Sequence, residues 1–277
     1  MPDQQHELNR ASWNLATSRH LTHRTDLAAR LRGGESNLFP EEVGLLGDLL
    51  GRRVVHLQCN DGTDTLGLAA LGADALGVDI SDVAIEAARR LSDESGIAAR
   101  FERADVLDWL PAAAARGERF DVVFASYGAL CWISDLAAWM RGAAGALAPG
   151  GRLVVVEYHP FVSTLEEGWK LEHPYFGRPG GQTWDEGIED YVGYTAGNAE
   201  SRNWTNPNPC VEFQHSLGEI VSATLAAGLA IEHLDEHQHC NGWQPFPDMT
   251  GDAQRRFHPP AGKELPMMFS LAARLPG

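Results

Sequence analysis

The chain has 277 residues, of which 44% are apolar, enough to form one large α/β domain with insertions. Its formal net charge of −16 disfavours nucleic acids and membranes as partners, because an acidic surface repels phosphates and anionic lipids. No apolar run approaches the roughly 18 residues of a membrane span, no charged-then-apolar leader is visible, and the four cysteines show no paired spacing. We therefore expect a soluble cytoplasmic protein with free thiols.

The predicted elements begin with a mostly helical stretch, and we assign residues 1–40 to an N-terminal helical cap. From residue 52 to residue 158, β-branched runs of strand length alternate with Ala-rich helical segments. Short apolar runs separated by helices of about 10 to 14 residues indicate βαβ units and a parallel sheet that is buried on both faces. The sequence thus predicts an α/β core over residues 41–158.

Residues 159–213 interrupt this regularity. They are rich in Gly, Pro and Asn, and ten aromatic side chains occur between Tyr158 and Phe213. Long irregular insertions in compact domains are usually functional, so we predict an aromatic cap over a substrate, with core packing as the alternative for part of these side chains. Residues 214–277 return to the core pattern, apart from a second irregular insertion at 240–264.

The first predicted strand ends in a polar turn within the stretch VVHLQCNDGTDT, residues 54–65. Ligands of parallel sheets bind at the carboxyl ends of the strands, where the N–H groups of the next helix point outward. Dinucleotide enzymes need a GxGxxG motif at this turn to cradle a pyrophosphate. The chain lacks that motif and also lacks a Tyr-x-x-x-Lys pair, which disfavours a nicotinamide-dependent oxidoreductase.

Five pieces in chain order, VVHLQCNDG, GVDIS, RAD, FDVVFASYGAL and LAPGGRLVVVEYHP, resemble the class I S-adenosylmethionine-dependent methyltransferases. The resemblance covers residues 52–158 and extends more loosely to the C-terminal helix and strands, which are similar to those of bacterial small-molecule methyltransferases. It implies an α/β fold with a seven-stranded Rossmann-like sheet, strand order 3-2-1-4-5-7-6, the last strand antiparallel and helices on both faces. It also implies S-adenosyl-L-methionine as the consumed methyl donor and S-adenosyl-L-homocysteine as the product.

The first motif departs from the family pattern of an acid followed by three spaced glycines. His56 replaces the acid, Gln58 the first glycine and Asn60 the second, and only Gly62 remains. Asn tolerates left-handed backbone angles, so Asn60 can hold the turn, whereas Gln58 and His56 cannot be explained in this way. We therefore expect other groups to hold part of the methionine end of the donor, with Arg24 as a candidate partner of its carboxylate.

The resemblance also implies the nucleoside contacts. Asp79 ends the second strand, where its carboxylate would accept both ribose hydroxyls, and Asp105 would accept from the adenine amine. For both residues, capping of the following helix is the alternative. The predicted donor-site residues are His56, Gln58, Asn60, Gly62, Asp79, Ile80, Ala104, Asp105, Val106 and Ser126.

Methyl transfer is an in-line displacement at an activated sulfonium, so the enzyme supplies approach geometry and, for alcohols and phenols, a base. The predicted catalytic candidates are Tyr127, His159 and His215, each with packing as the alternative. His237 and His239 share one face at a strand end, but no third ligand stands at a useful spacing, so we predict no metal. The predicted acceptor-binding residues are Trp13, Tyr158, Trp184, Trp204 and Trp243.

These observations predict methyl transfer to a small molecule, a natural product or secondary metabolite. Nitrogen is slightly favoured over oxygen, because an acidic, aromatic-lined protein suits an amine-bearing acceptor, and carbon acceptors stay open. The alternatives from other classes are a donor-binding or regulatory protein without turnover, and a nicotinamide-dependent oxidoreductase. We expect no nucleic-acid or membrane partner, and the sequence leaves monomer and homodimer open.

Overall fold

The computed structural model describes residues 4–277 and contains one mixed sheet of seven strands. In chain order these are β1 Arg53–Leu57, β2 Asp74–Asp79, β3 Arg100–Arg103, β4 Phe120–Ser126, β5 Leu147–Tyr158, β6 Ala230–His237 and β7 Met268–Arg274. The order across the sheet is β3-β2-β1-β4-β5-β7-β6. Strands β1 to β5 run parallel, and β7 is antiparallel to both β5 and β6. The predicted strand order and antiparallel last strand are confirmed.

Helices cover both faces of the sheet, as predicted. Val54 and Val55 point to opposite faces of β1, yet both side chains are fully buried. Buried neighbours of this kind are typical of strands in parallel sheets, which carry apolar residues on both sides. The helices are α1 Gln4–His20, α2 Leu27–Arg32, α3 Pro40–Leu46, α4 Thr63–Ala70, α5 Asp82–Ser95, α6 Val106–Ala115, α7 Leu136–Ala146, α8 Tyr191–Thr195 and α9 Leu217–Ala226.

Side-chain caps fix where the core helices begin. Ser81 accepts a hydrogen bond from the Ala84 N–H at the start of α5, and Ser216 forms a capping box with Glu219 at the start of α9. Such caps are each worth about 1 kcal/mol, because they satisfy N–H groups that have no partner inside the helix. They also place the first turn of α5 directly after the end of β2.

The two insertions pack against each other at the carboxyl-end edge of the sheet. Val162 and Trp169 of the first insertion share a buried cluster with Cys240, Phe246 and Met249 of the second. The segments thus build a small core jointly, which neither would bury alone. Their short elements are the 3-10 segments Val162–Thr164 and Ala199–Asn203 and the strands Leu165–Glu166, Lys170–Leu171, Gln182–Trp184, Cys210–Glu212, Cys240–Asn241, Thr250–Gly251 and Arg256–His258.

Helix α1 joins the first insertion to the core through polar groups. The Asn9 side chain donates to the Val211 carbonyl oxygen at 2.8 Å and accepts from the Val211 N–H at 2.7 Å. On the other side, the Asn14 Oδ1 atom accepts from the Ser81 hydroxyl at 2.7 Å. Polar residues therefore form much of the buried face of this helix, and paired hydrogen bonds offset the cost of their burial.

Among residues 4–277, no helix combines the length and the apolar character that crossing a membrane requires. Cys59, Cys131, Cys210 and Cys240 are free thiols. Burial raises the pKa of Cys59 and Cys131 well above the usual value, so both thiols stay protonated at neutral pH and are weak nucleophiles.

Gly62 provides a test of the turn that follows β1. Its φ is +74°, and a Cβ atom there would lie 2.6 Å from both Ala88 Cβ and Phe101 Cε1. We expect Gly62→Ala to lower the free energy of unfolding by about 3 kcal/mol, from left-handed strain together with overpacking. Urea denaturation measures the loss.

Gly96→Ala is the matched control, because Gly96 has the same φ of +74° but open space around a new Cβ atom. We expect it to lose only about 1 kcal/mol, the cost of the left-handed angle alone. Equal losses in the two variants would show that close packing at Gly62 does not contribute.

Candidate functional site

A cavity of about 1030 Å³ opens at the carboxyl ends of the central strands. Gln58 directly follows β1, while Asp79, Ser126 and Tyr158 are the last residues of β2, β4 and β5, and all four line this cavity. Its walls continue beneath α1 and the first insertion. Small-molecule sites usually occupy about 300–1,000 Å³, so the cavity has room for two ligands side by side.

The turn after β1 contains two non-glycine residues in the left-handed region. Asn60 has a φ of 48°, as its residue type allowed, and Gln58 has a φ of 55°. Gln58 adopts this angle although its residue type, unlike that of Asn60, does not favour it. Its side chain donates to the Ala129 carbonyl oxygen and accepts from the Trp139 indole N–H at 3.2 Å. These two bonds offset the roughly 1–2 kcal/mol that the left-handed conformation costs.

Asp79 stabilises the same turn from the end of β2. One carboxylate oxygen accepts from the Asn60 N–H at 2.8 Å, and the other accepts from the Ser81 N–H at 2.8 Å. Burial raises the pKa of Asp79 to about 6, although these backbone N–H groups oppose the shift. Each carboxylate oxygen can accept a second hydrogen bond, so ribose hydroxyls would still find acceptors in this part of the cavity.

His56 stands at the position where the first motif usually has an acid, and its side chain connects neighbouring elements. Its Nδ1 atom lies 2.9 Å from the Thr65 hydroxyl, and its Nε2 atom lies 3.2 Å from the Ser126 hydroxyl. Burial lowers the pKa of His56 to about 3, so the ring carries no charge at neutral pH. His56 therefore connects β1 to α4 and β4, and it leaves the recognition of charged ligand groups to other residues.

Arg24 and Asp61 form an ion pair in the cavity wall. Asp61 also accepts from the N–H and the hydroxyl of Thr63. Burial alone would raise the pKa of Asp61, but the Arg24 charge and the Thr63 hydrogen bonds together bring it below its usual value. The pair thus brings one fixed positive and one fixed negative charge beside the turn, and sequence reasoning had identified only Arg24.

Asp105 makes two interactions at once. Its Oδ1 atom accepts from the Leu107 N–H at 2.9 Å and caps α6, while its Oδ2 atom lies 2.6 Å from His6 Nδ1. Asp105 therefore does cap α6, which was the alternative to a ligand contact, and its second oxygen faces α1. Asp105 and His6 both line the cavity, although nothing in the local pattern around residue 6 indicated this contact.

Aromatic side chains form the wall that follows β4 and β5. The Tyr127 and Tyr158 rings lie 5.4 Å apart, and Tyr158 lies 4.5 Å from Trp243. The Tyr127 hydroxyl accepts from Asn241 Nδ2 at 2.9 Å, and its backbone φ of 37° is strained. Burial, with the nearby Glu42 charge, raises the pKa of Tyr127 well above its usual value, so this phenol stays protonated and is a poor base.

The two histidines predicted as catalytic candidates differ in placement. His215 lines the cavity, and its Nε2 atom lies 2.8 Å from the Ile133 carbonyl oxygen, which can only accept. The proton therefore sits on Nε2, and Nδ1 carries the lone pair. Burial lowers the pKa of His215, so this ring is neutral. His159 lies outside the lining, with its Nε2 atom 2.9 Å from Glu236.

Most of the other predicted site residues line the cavity, including Trp13, Trp184, Ile80 and Val106. Within the described chain, the predicted residues that the structure does not bring into the lining are Gly62, Ala104, His159 and Trp204. Gly62 is packed against α5 and β3, where its lack of a side chain matters. Trp204 follows the 3-10 segment Ala199–Asn203 and is not brought to the cavity.

A group of carboxylates from the first insertion lines part of the cavity, and the sequence pattern did not single it out. Glu212 is the least exposed of them and accepts from the Trp184 indole N–H at 2.9 Å. Burial, together with the nearby Glu189 charge, raises the pKa of Glu212 above its usual value. A cation placed here would relieve that cost. The carboxylates of the group are Glu166, Glu167, Asp185, Glu186, Glu189 and Glu212.

Glu157 organises the loop that follows β4. Its Oε2 atom accepts from the N–H groups of Ala129 and Leu130 at 2.6 and 3.1 Å, and its Oε1 atom accepts from those of Gly128 and Tyr158. Charge-assisted bonds of this kind are stronger than neutral ones, so one buried carboxylate fixes four backbone groups at the centre of the cavity.

We expect Glu157→Gln to lower the free energy of unfolding by about 3 kcal/mol, because an amide offers one acceptor oxygen where two are needed. Its NH₂ group would also face two backbone donors. Chemical denaturation measures the change, and Glu86→Gln on the exposed face of α5 is the control, with an expected change within about 0.5 kcal/mol. A Glu157→Gln protein as stable as the control would contradict this role.

The central part of the chain is similar to known protein families and curated proteins. Residues 54–151 match the family described as a methyltransferase domain. A ubiquinone biosynthesis O-methyltransferase from Bradyrhizobium diazoefficiens is 31% identical over 140 residues, which are 50% of this chain and 50% of that protein. The chain thus spans about half the length of the curated relatives that it matches.

Solved structures extend the likeness to most of the chain. An S-adenosylmethionine-dependent methyltransferase from Mesorhizobium loti has a TM-score of 0.54 and 23% identity, covering 87% of this chain and 99% of its own. The CcbJ methyltransferase from Streptomyces caelestis has a TM-score of 0.53 and 18% identity, covering 86% and 89%. At such identities the likeness concerns the fold. Residues 54–151 therefore match the methyltransferase-domain family, and the chain has the class I S-adenosylmethionine-dependent methyltransferase fold.

Proposed function

We propose that this protein transfers a methyl group from S-adenosylmethionine to an amine-bearing small molecule, such as a natural product or secondary metabolite. The observation that carries the proposal is the single cavity that joins the turn after β1 to an aromatic and acidic chamber under the insertions. Such a cavity can hold donor and acceptor together, as direct transfer requires.

The donor would lie along the strand ends. Asp79 offers acceptors to the ribose hydroxyls, and Asp105, already oriented by Leu107 and His6, lies where the adenine edge would come. The ion pair of Arg24 and Asp61 lies beside the turn, and it would supply opposite charges to the carboxylate and ammonium of the methionine end. This arrangement would compensate for a first motif in which the acid and two glycines are replaced.

The acceptor would bind beneath the insertions, with its amine near Glu212. A buried carboxylate whose pKa is raised attracts a cation, and the neighbouring Trp184 and Trp13 rings suit an aromatic body or a cation–π contact. The other carboxylates of the chamber add to the negative potential. This distribution of charge favours an amine over an acidic or phosphorylated acceptor.

The methyl transfer itself needs few catalytic groups from the protein. The acceptor, bound as an ammonium, first loses one proton to solvent or to the Nδ1 atom of His215. The lone pair of the resulting amine attacks the sulfonium methyl carbon, the carbon–sulfur bond breaks, and its electron pair stays on sulfur as the thioether of S-adenosylhomocysteine. The product leaves as the methylated ammonium. The loop held by Glu157 would fix the approach between the two ligands.

A second candidate is O-methylation of a phenol. The curated relative from Bradyrhizobium diazoefficiens is named an O-methyltransferase, and a phenol needs a base to become nucleophilic. The neutral His215 in the cavity wall would serve as that base. The two candidates differ in the chemistry of the acceptor and in their dependence on Glu212.

The pH dependence of product binding tests the donor site. Ribose hydroxyls donate to an ionised carboxylate, so binding favours the charged form of Asp79, whose pKa lies at about 6. Affinity for S-adenosylhomocysteine should therefore be full above that pKa and decline as the pH falls through it. We expect the Kd measured by calorimetry to be about tenfold higher at pH 5 than at pH 7.5.

Asp79→Asn is the control for this dependence, because an amide does not titrate. Its Kd for S-adenosylhomocysteine should be weaker than that of the native protein at pH 7.5 and nearly the same at pH 5 and pH 7.5. A pH dependence that persists in Asp79→Asn would assign the titration to another group.

The acceptor class is tested with the donor, a panel of aromatic primary amines and a matched panel of phenols, with S-adenosylhomocysteine release as the readout. We expect turnover with amines, and Glu212→Gln should raise their KM by at least about tenfold, a loss near 1.4 kcal/mol. Glu167→Gln, on an exposed residue of the same lining, is the control and should change KM less than twofold. Turnover with phenols alone, unaffected by Glu212→Gln, would favour O-methylation.

A further inference from the structure

Three potential metal ligands from distant parts of the chain meet beside the second insertion, outside the lining of the cavity. Glu41 lies in the first turn of α3, His237 ends β6, and His239 precedes the strand Cys240–Asn241. One ligand atom from each side chain lies within 4.8 Å of the others. The spacing of the two histidines had offered no third ligand in the sequence, and the fold provides one from almost 200 residues away.

We propose that Glu41, His237 and His239 bind a divalent transition metal, with Zn²⁺ as the best match. Two imidazoles and one carboxylate form a donor set that Zn²⁺ accepts, with the fourth position left to water. His239 Nε2 lies 3.4 Å from Glu41 Oε1. Two ligands at about 2.0–2.1 Å from a tetrahedral ion stand about 3.3 Å apart, so this pair is already at the required separation.

The neighbours of the ligands fit this assignment. Within the described residues, the buried His239 Nε2 atom faces Glu41 Oε1 at 3.4 Å and has no other hydrogen-bond partner, as expected of two atoms that share an ion. His237 Nε2 lies 2.9 Å from the Ser270 hydroxyl, which leaves Nδ1 for the ion and orients the ring.

Arg256 is the group that opposes metal binding. Its Nη2 atom lies 2.6 Å from Glu41 Oε1, so a guanidinium occupies one side of the carboxylate. The Glu41 Oε2 atom accepts from Asn241 Nδ2 at 3.2 Å. An incoming ion would share Glu41 with Arg256 or displace it, and the repulsion between the two cations would weaken binding. Removing the Arg256 charge should therefore strengthen binding, which is a specific consequence of this geometry.

The consequence of metal binding would be structural. The ion would join α3, the end of β6 and the second insertion, where Glu41 already contacts Asn241 and Arg256. Asn241 connects this cluster to the cavity, because its side chain contacts both Glu41 and the Tyr127 hydroxyl. A metal at this position would thus fix the wall of the chamber without taking part in the methyl transfer.

The test uses the untagged 277-residue protein after chelator treatment and dialysis. Titration with Co²⁺ should produce visible d–d absorption that saturates at one ion per chain, and Zn²⁺ should bleach it. We expect His239→Ala and Glu41→Gln to weaken Zn²⁺ binding at least a hundredfold. Arg256→Gln should tighten it several-fold, with the melting temperature in chelator reporting that each variant is folded.

His233→Ala is the matched control, since His233 also lies near Ser270 but is not one of the three ligands. Its Zn²⁺ affinity should match that of the native chain. Absence of cobalt absorption in the native protein would overturn the proposal. So would an unchanged affinity in folded His239→Ala, or a weaker affinity in Arg256→Gln.

Discussion

The buried carboxylate of Asp79 is the interaction on which the functional site depends. It accepts backbone N–H groups from Asn60 and Ser81, and so joins the turn after β1 to the start of α5. In that turn Gln58 and Asn60, on either side of Cys59, both adopt left-handed backbone angles. Such angles are unfavourable for non-glycine residues without support of this kind. Because the same carboxylate faces the cavity, the group that holds the turn is also the group that a bound nucleoside would meet.

The cavity has two sides of different chemistry, and each side comes from a different part of the chain. Strand ends supply the polar side, whereas α1 and the insertions supply the aromatic and acidic side. Helix α1 connects the two through buried hydrogen bonds of Asn9 and Asn14. Glu157, in the cavity wall, fixes the loop of residues 128–130. The arrangement of the cavity walls therefore depends on polar contacts between segments far apart in sequence.

The sheet could be predicted because its signal is local: β-branched runs alternate with helical segments, and the resemblance supplied the strand order. Contacts between distant residues could not be predicted in this way. The His6–Asp105 pair and the approach of Glu41 to His239 join residues far apart in sequence, and no period in the sequence reports them. His159 follows Tyr158 directly, yet it lies outside the cavity lining, with its Nε2 atom 2.9 Å from Glu236. Gln58 adopts a left-handed angle because its side chain is held on both sides, which its residue type alone did not indicate.

A crystal structure of the protein with S-adenosylhomocysteine would test the central claim most directly. The account predicts that the ribose hydroxyls contact Asp79, that the adenine lies beside Asp105, and that the sulfur faces the chamber lined by Tyr127, Trp184 and Glu212. A product molecule bound elsewhere, or bound in the cavity with its ribose away from Asp79, would contradict it.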